Sequence, residues 1–246
     1  MNGVHAVNAP CASHVADRSL SDDLRPLLVG LLALVVWDAL ALDLPLTRLF
    51  GDAQGFPWRE HWLTAKVLHD GVRFASWVFV AVLVVGIWAP LPFMRVLTRR
   101  ERLWLIGTAL LCITLTQLLK RSSWTSCPWS LAEFGGDVKR HVPHWLFGQS
   151  DGGSGGCFPS GHTSSAFGFL AGWFALRKPA PDAARLWLIF TVAAGLTLGW
   201  AQLVRGAHYV SHSLWAAWIC WAITLMSFHL LRRWHVADQG RPVATA

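Results

Sequence analysis

Six apolar stretches, each near the roughly 20 helical residues needed to cross a hydrocarbon core, constrain this chain more than any other feature. They fall near residues 25–44, 72–94, 102–119, 162–177, 185–204 and 211–231. Within a bilayer the backbone N–H and C=O groups of such a stretch must be satisfied inside the protein, which favours helices. Composition agrees: 54% of the residues are hydrophobic and 14% charged, where soluble domains carry about a quarter charged. The first stretch lies too deep and runs too long for a secretory signal, and no small-residue cleavage site follows it. The expected fold class is therefore an all-α polytopic membrane protein with six transmembrane helices.

The expected organisation is a disordered leader over 1–24, a six-span domain over 25–232 and a tail over 233–246. Lys and Arg near the span ends set orientation. One side holds Arg18, Arg25, Arg95, Arg99, Arg100, Arg102, Arg177, Lys178, Arg185, Arg232, Arg233 and Arg241. The other keeps Arg48, Arg59, Lys66, Arg73, Lys120, Arg121, Lys139, Arg140 and Arg205. The first set is the larger, so both termini are expected in the cytoplasm. The net charge of +7 sits in short loops and makes no basic, aromatic-interleaved soluble face. Anionic lipid, not nucleic acid, is the expected partner.

Asp38 lies at membrane depth in the first stretch, where an ionisable side chain must face protein or water; an interhelical hydrogen bond would satisfy it. Residues 56–70 place Trp58, Trp62, Ala65, Val67 and Leu68 in a loose stripe suited to a helix lying in the interface. The sixteen tryptophans suit the two membrane–water boundaries. Cys112 and Cys220 fall inside spans as apolar packing residues, and Cys11 falls in the leader. Cys127 and Cys157 share the long loop on the outer side, where a disulfide would persist; spacing leaves their pairing open.

Three polar clusters border the spans on that outer side. The first, LLKRSSWTSCPW, has Lys120 and Arg121 at the end of span three. The second, PSGH, starts span four. There, unpaired helix N–H groups favour an anion, Ser160 can cap or donate, Gly161 admits a ligand to the backbone, and His162 stands over whatever binds. The third, QLVRGAHYVSHSLW, spaces Gln202, Arg205, His208 and His212 as one helical stripe if the helix continues past Gly206. Cations and imidazoles on one face point to chemistry on an anion such as phosphate.

These clusters resemble the three signature motifs of the type 2 phosphatidic acid phosphatase (PAP2) superfamily, K-x6-R-P, P-S-G-H and S-R-x5-H-x3-D, over about residues 105–225. The resemblance implies a PAP2/vanadium-haloperoxidase-like helical core whose active-site loop spans 120–161. It also implies a membrane lipid phosphatase of the cell envelope, in the cytoplasmic (inner) membrane with its active site outside. Lys120 matches the phosphate-binding lysine, Pro159–His162 match throughout, and His208 matches the nucleophile, with His162 as general acid. No metal or other cofactor is implied. The implied substrates are lipid A 1-phosphate, undecaprenyl diphosphate, phosphatidylglycerol phosphate and phosphatidic acid.

The chain departs from the pattern at four positions. Cys127 replaces the first arginine, Ala201 and Gln202 replace Ser-Arg, and His212 replaces the aspartate that would orient the nucleophile. Arg205 and Arg121 are the candidate replacement cations, Gln202 a neutral phosphate ligand, and His212 a neutral partner for His208. Asp38, Asp137 and Asp151 are candidates for the missing acid, and a Cys127–Cys157 bridge is the expected role of Cys127. Three other functions use the same residues: a lipid phosphotransferase, an impaired relative that only binds lipid phosphate, and, from another class, a membrane b-haem protein with histidine ligands.

Overall fold

Helix α1 (Leu20–Ala39) begins where Ser19 accepts from the Asp22 N–H and the Asp22 side chain accepts from the Ser19 N–H, a reciprocal box that satisfies two otherwise unpaired donors. Thr98 and Glu101 repeat the device at the start of α4 (Arg99–Arg121). Between them lie α2 (Asp43–Thr47) and α3 (Val72–Val85), the latter led by a π-helix over Leu63–Gly71. After the long loop come α5 (Gly161–Phe167), a 3-10 turn over Gly168–Leu170, α6 (Ala171–Leu176), α7 (Pro181–Val204) and α8 (Val210–Gln239). This computed structural model describes residues 19–146 and 148–239, the side chains of 233–239 excepted. Residues 1–18 of the expected leader, with Cys11, and residues 240–246 of the expected tail lie outside the described residues, whereas residues 20–24 and 233–239 are helical.

The chain is all-helical, with only two isolated β-bridges among the described residues. Among the described residues, four helices are long and apolar enough to cross a membrane: Leu63–Val85, Arg99–Arg121, Pro181–Val204 and Val210–Arg232. The other two expected spans differ for physical reasons. α1 is helical but carries Asp22, Asp23, Arg25 and Asp38. The fourth stretch is broken at the 3-10 turn, and nearly all of it is buried against α4, α7 and α8. It is the centre of the bundle rather than a lipid-facing rod. Outward faces of α1, α3 and α7 instead expose Leu32, Phe74 and Phe190, as a bilayer solvent permits.

The interfacial helix expected over 56–70 is not a separate element. From Leu63 the chain is helical and continuous with α3, so the second span starts earlier than 72 and ends at Val85. Pro90 and Pro92 follow, and neither can supply the N–H that a continuing helix needs.

At the end of the bundle that holds the chain's start, Asp23 accepts from both Arg177 Nη1 and Nη2 at 2.7 Å, and His229 Nε2 lies 3.0 Å from the same carboxylate. Arg177 also stands 4.7 Å from the Phe174 and Phe228 ring centres. A residue counted above as an interfacial cation is thus a buried ion-pair partner. At the other end, Asp38 Oδ2 accepts from Trp215 Nε1 on α8 at 2.9 Å, the interhelical bond expected of it, with His144 Nε2 at 3.3 Å. Asp43 accepts from the Ser211 N–H and from Trp37 Nε1, both at 3.0 Å, and so anchors the first turn of α8.

Candidate active site

The three polar clusters meet at one end of the bundle because α4 ends, α5 begins, and α7 turns into α8 there. A cavity of about 360 Å³ opens beside the first two, lined by Arg73, Gln117, Lys120, Gly161, His162 and Ser165 with apolar neighbours, and no third-cluster residue lines it. Lys120, in the last turn of α4, faces this cavity; Arg121, one residue on, is exposed and does not line it. Adjacent helical residues point apart, so Arg121 is no substitute for the missing cation.

His162 enters from the first turn of α5. Both of its ring nitrogens are buried and make no hydrogen bond among the described residues. Gly161 allows this fit: a Cβ there would stand 2.4 Å from Gln117 Nε2. Ser160 does not cap the helix with its side chain. Its hydroxyl lies 2.8 Å from that of Thr163, which donates to Ser213 Oγ at 3.1 Å, and its N–H donates to the His212 carbonyl at 3.0 Å.

The third cluster is not one helical stripe. α7 stops at Val204, and Gly206 takes φ +67°. The Gly206 N–H donates to Leu203 O at 2.9 Å and the Ala207 N–H to Gln202 O at 2.9 Å, a pair of bonds that closes a helix end around a left-handed residue. A Cβ at Gly206 would also meet the Phe56 ring at 2.3 Å. The turn keeps Gln202 and Arg205 on the end of α7 and delivers His208 to the start of α8.

Arg205 and Gln202 are 7% and 1% exposed. Arg205 Nε donates to Arg59 O at 3.0 Å, but its Nη1 is buried and makes no bond among the described residues, nor does Gln202 Nε2. Burial pulls the Arg205 guanidinium below its ordinary value, against the opposing pull of Glu60 and Asp70. Two positions read from the sequence as phosphate contacts therefore hold donors with nothing to donate to.

His208 is 3% exposed and is not among the residues that line the cavity. Burial first, then the charges of Lys120 and His162, push its imidazole well below the usual histidine range, so it is held neutral. Cys127 and Cys157 form a disulfide across the loop, and the Cys157 sulfur lies 3.6 Å from His208 Nδ1. The bridge thus occupies the flank where a carboxylate would hold the nucleophile. His212 does not bond to His208: the ring centres are 5.9 Å apart, and His212 Nδ1 lies 3.0 Å from the Cys157 carbonyl. Asp38 bonds to Trp215, Asp151 accepts from Ser126 N at 2.7 Å and Ser126 Oγ at 2.8 Å, and Asp137 is exposed. Among the described residues no carboxylate bonds to His208.

Sequence reasoning missed Arg73, Gln117 and His69. Arg73 and Gln117 line the cavity, and the His69 ring centre lies 4.1 Å from that of His162. Arg73 entered the sequence analysis only as one of the cations counted on the outer side. His69 and its neighbour Asp70 closed the stretch assigned to the interface.

The family model of the PAP2 superfamily matches residues 101–235. No curated protein and no solved structure matches the chain. Because the family match covers more than half of the chain and takes in all three polar clusters, this protein belongs to the PAP2 superfamily.

Proposed function

We propose that the chain is a lipid-phosphate phosphatase of the inner membrane, working at the outer face through a phosphohistidine on His208. In this reading the neutral His208 presents Nε2 to phosphorus, its Nδ1–H turned toward the disulfide. The Nε2 lone pair forms the N–P bond as the P–O bond to the lipid breaks, and His162, which takes up a proton when the bound phosphate offsets the cations around it, gives that proton to the leaving oxygen. Water then attacks phosphorus, His162 takes a proton back, and the N–P bond breaks to release phosphate. Lys120, Arg205, Arg73 and Gln202 hold the phosphate oxygens and the charge that develops on them, the main requirement in phosphoryl transfer.

One observation carries this reading: among the described residues the His162 ring, which lines the cavity with Lys120, and the neighbouring third-cluster nitrogens Arg205 Nη1 and Gln202 Nε2 are buried without a partner. Buried polar groups are nearly always paired, so these are set for a ligand rich in acceptor oxygens. A lipid substrate is favoured because Ser76 and Ser165 line both this cavity and an apolar one of about 600 Å³ between α3 and α7. The headgroup and an acyl or prenyl chain then have adjoining seats. The six-span topology with both termini inside belongs to the same proposal, supported by the gathering of the polar clusters at one end.

The test is phosphate release from phosphatidic acid, phosphatidylglycerol phosphate, undecaprenyl diphosphate and lipid A 1-phosphate by purified protein in detergent with EDTA. Wild type is expected to release phosphate from at least one, and His208→Ala to lose about 10³-fold or more. Release that survives His208→Ala overturns the phosphohistidine. The absence of a carboxylate on His208 favours a second reading, a relative that binds lipid phosphate without turnover; saturable vanadate binding with no release from any lipid would select it.

A further inference from the structure

We propose that His69, steered by Asp70, is a positioning residue for the general acid His162, a role that rests on the phosphatase reading above. Both residues come from the π-helix that leads into α3, outside all three signature clusters. The two imidazoles face one another with ring centres 4.1 Å apart and planes 35° apart. His69 Nδ1 lies 2.8 Å from Asp70 Oδ1, and Lys66 Nζ donates to the other Asp70 oxygen at 3.5 Å.

The need for such a residue follows from His162 itself. Neither of its ring nitrogens has a hydrogen-bond partner among the described residues, so no polar contact sets its χ2 angle. A general acid must hold its N–H within about 3 Å of the leaving oxygen and in line with it. Here the plane of the ring is set by a flat neighbour, and the plane of that neighbour by a carboxylate. Wider turns than those of an α-helix are frequent at functional sites, and this one turns His69 inward while leaving Asp70 at the surface.

The role predicts an effect that depends on the leaving group. Release of an alkoxide from a lipid phosphate needs a proton in the transition state, whereas release of nitrophenolate from p-nitrophenyl phosphate hardly does. His69→Ala is expected to lower kcat on the lipid about 10- to 100-fold with little change in KM, since a misplaced catalytic group acts on the chemical step. Hydrolysis of p-nitrophenyl phosphate should stay within about threefold of wild type. His69→Phe keeps a flat ring against His162 but loses the bond to Asp70, and is expected to restore the lipid activity only in part. Equal losses on both substrates, or a phenylalanine variant as slow as the alanine one, would overturn the proposal.

A measurement independent of turnover separates this idea from the phosphatase reading. The His162 Cε1–H resonance, assigned with His162→Gln in labelled protein in detergent, should shift when His69→Ala removes the facing ring. An unmoved resonance removes the contact and the proposal with it. Wild type that hydrolyses neither substrate while the resonance still shifts would sink the phosphatase reading and the acid–leaving-group role together, leaving only a packed pair of rings.

Discussion

Two buried polar clusters share helix α8 and behave in opposite ways. His212 borders one and His229 the other, 17 residues apart, or about 25 Å at 1.5 Å per residue. Around His229, Asp23 receives two short bonds from Arg177 and lies against the imidazole as well, and the guanidinium is stacked among aromatic rings. Around His212 and His208, by contrast, Arg205, Gln202 and His162 keep buried nitrogens that bond to nothing among the described residues. The first cluster ties α1, α6 and α8 together. The second leaves buried donors without a protein partner, which a ligand rich in acceptor oxygens would supply. The contrast teaches that burial of charge identifies neither role; satisfaction does.

The sharpest way to break this comparison is to remove Asp23. Asp23→Ala leaves Arg177 buried without its counter-charge and should destabilise the protein by about 3–5 kcal/mol, as the loss of one partner of a buried pair generally does. Thermal unfolding in detergent measures it. A neutral result would mean that the pair is no more than a surface contact.

Arg205→Met probes the other end with the opposite expectation. It deletes an unpaired buried cation, so stability without ligand should change by less than about 1 kcal/mol, while kcat/KM falls about 10²- to 10³-fold through lost charge stabilisation. Vanadate at a hundred times its Kd should stabilise wild type by about 2.7 kcal/mol and the methionine variant much less. If Arg205→Met unfolds the protein as Asp23→Ala does, the two clusters do not differ in kind.

The smallest expected effect is on pH dependence. His208 is held below its ordinary value of 6.5 by burial, so the unfolded chain binds the proton more readily than the folded one. Stability should be fully present above about pH 6.5 and decline as pH falls below it toward the lower folded value. His208→Asn should flatten that decline, as read from melting temperature against pH. A variant that keeps the full wild-type slope would remove His208 as its source.

Much of the bundle was legible because a bilayer admits few solutions: the apolar lengths of α4, α7 and α8 predict helices that the structure contains. Lys120, His162 and His208 were legible for another reason, since each sits in a short pattern whose spacing is local. The break in the fourth stretch was not legible, because length and hydrophobicity look alike for a lipid-facing helix and for a broken one buried at the centre. The stripe through Gln202, Arg205, His208 and His212 failed at Gly206, where the closing bonds of α7 win over helical continuation. Asp43 went unread because its partner, Ser211, lies far along the chain, and His69 because its contact with His162 joins two distant elements.

By itself the sequence determined that the chain must bury its backbone in membrane helices, and which short motifs match the signatures of the family. Both are properties of local composition and spacing. Only the tertiary structure decided which charges are paired and which are left for a ligand. It joined Cys127 to Cys157 beside His208, turned Arg121 away while bringing Arg73 to the cavity, and set His69 against His162. Each of those outcomes depends on how helices distant in sequence pack, and hydrogen bonds between them are made or left open by fractions of an ångström that no local pattern encodes.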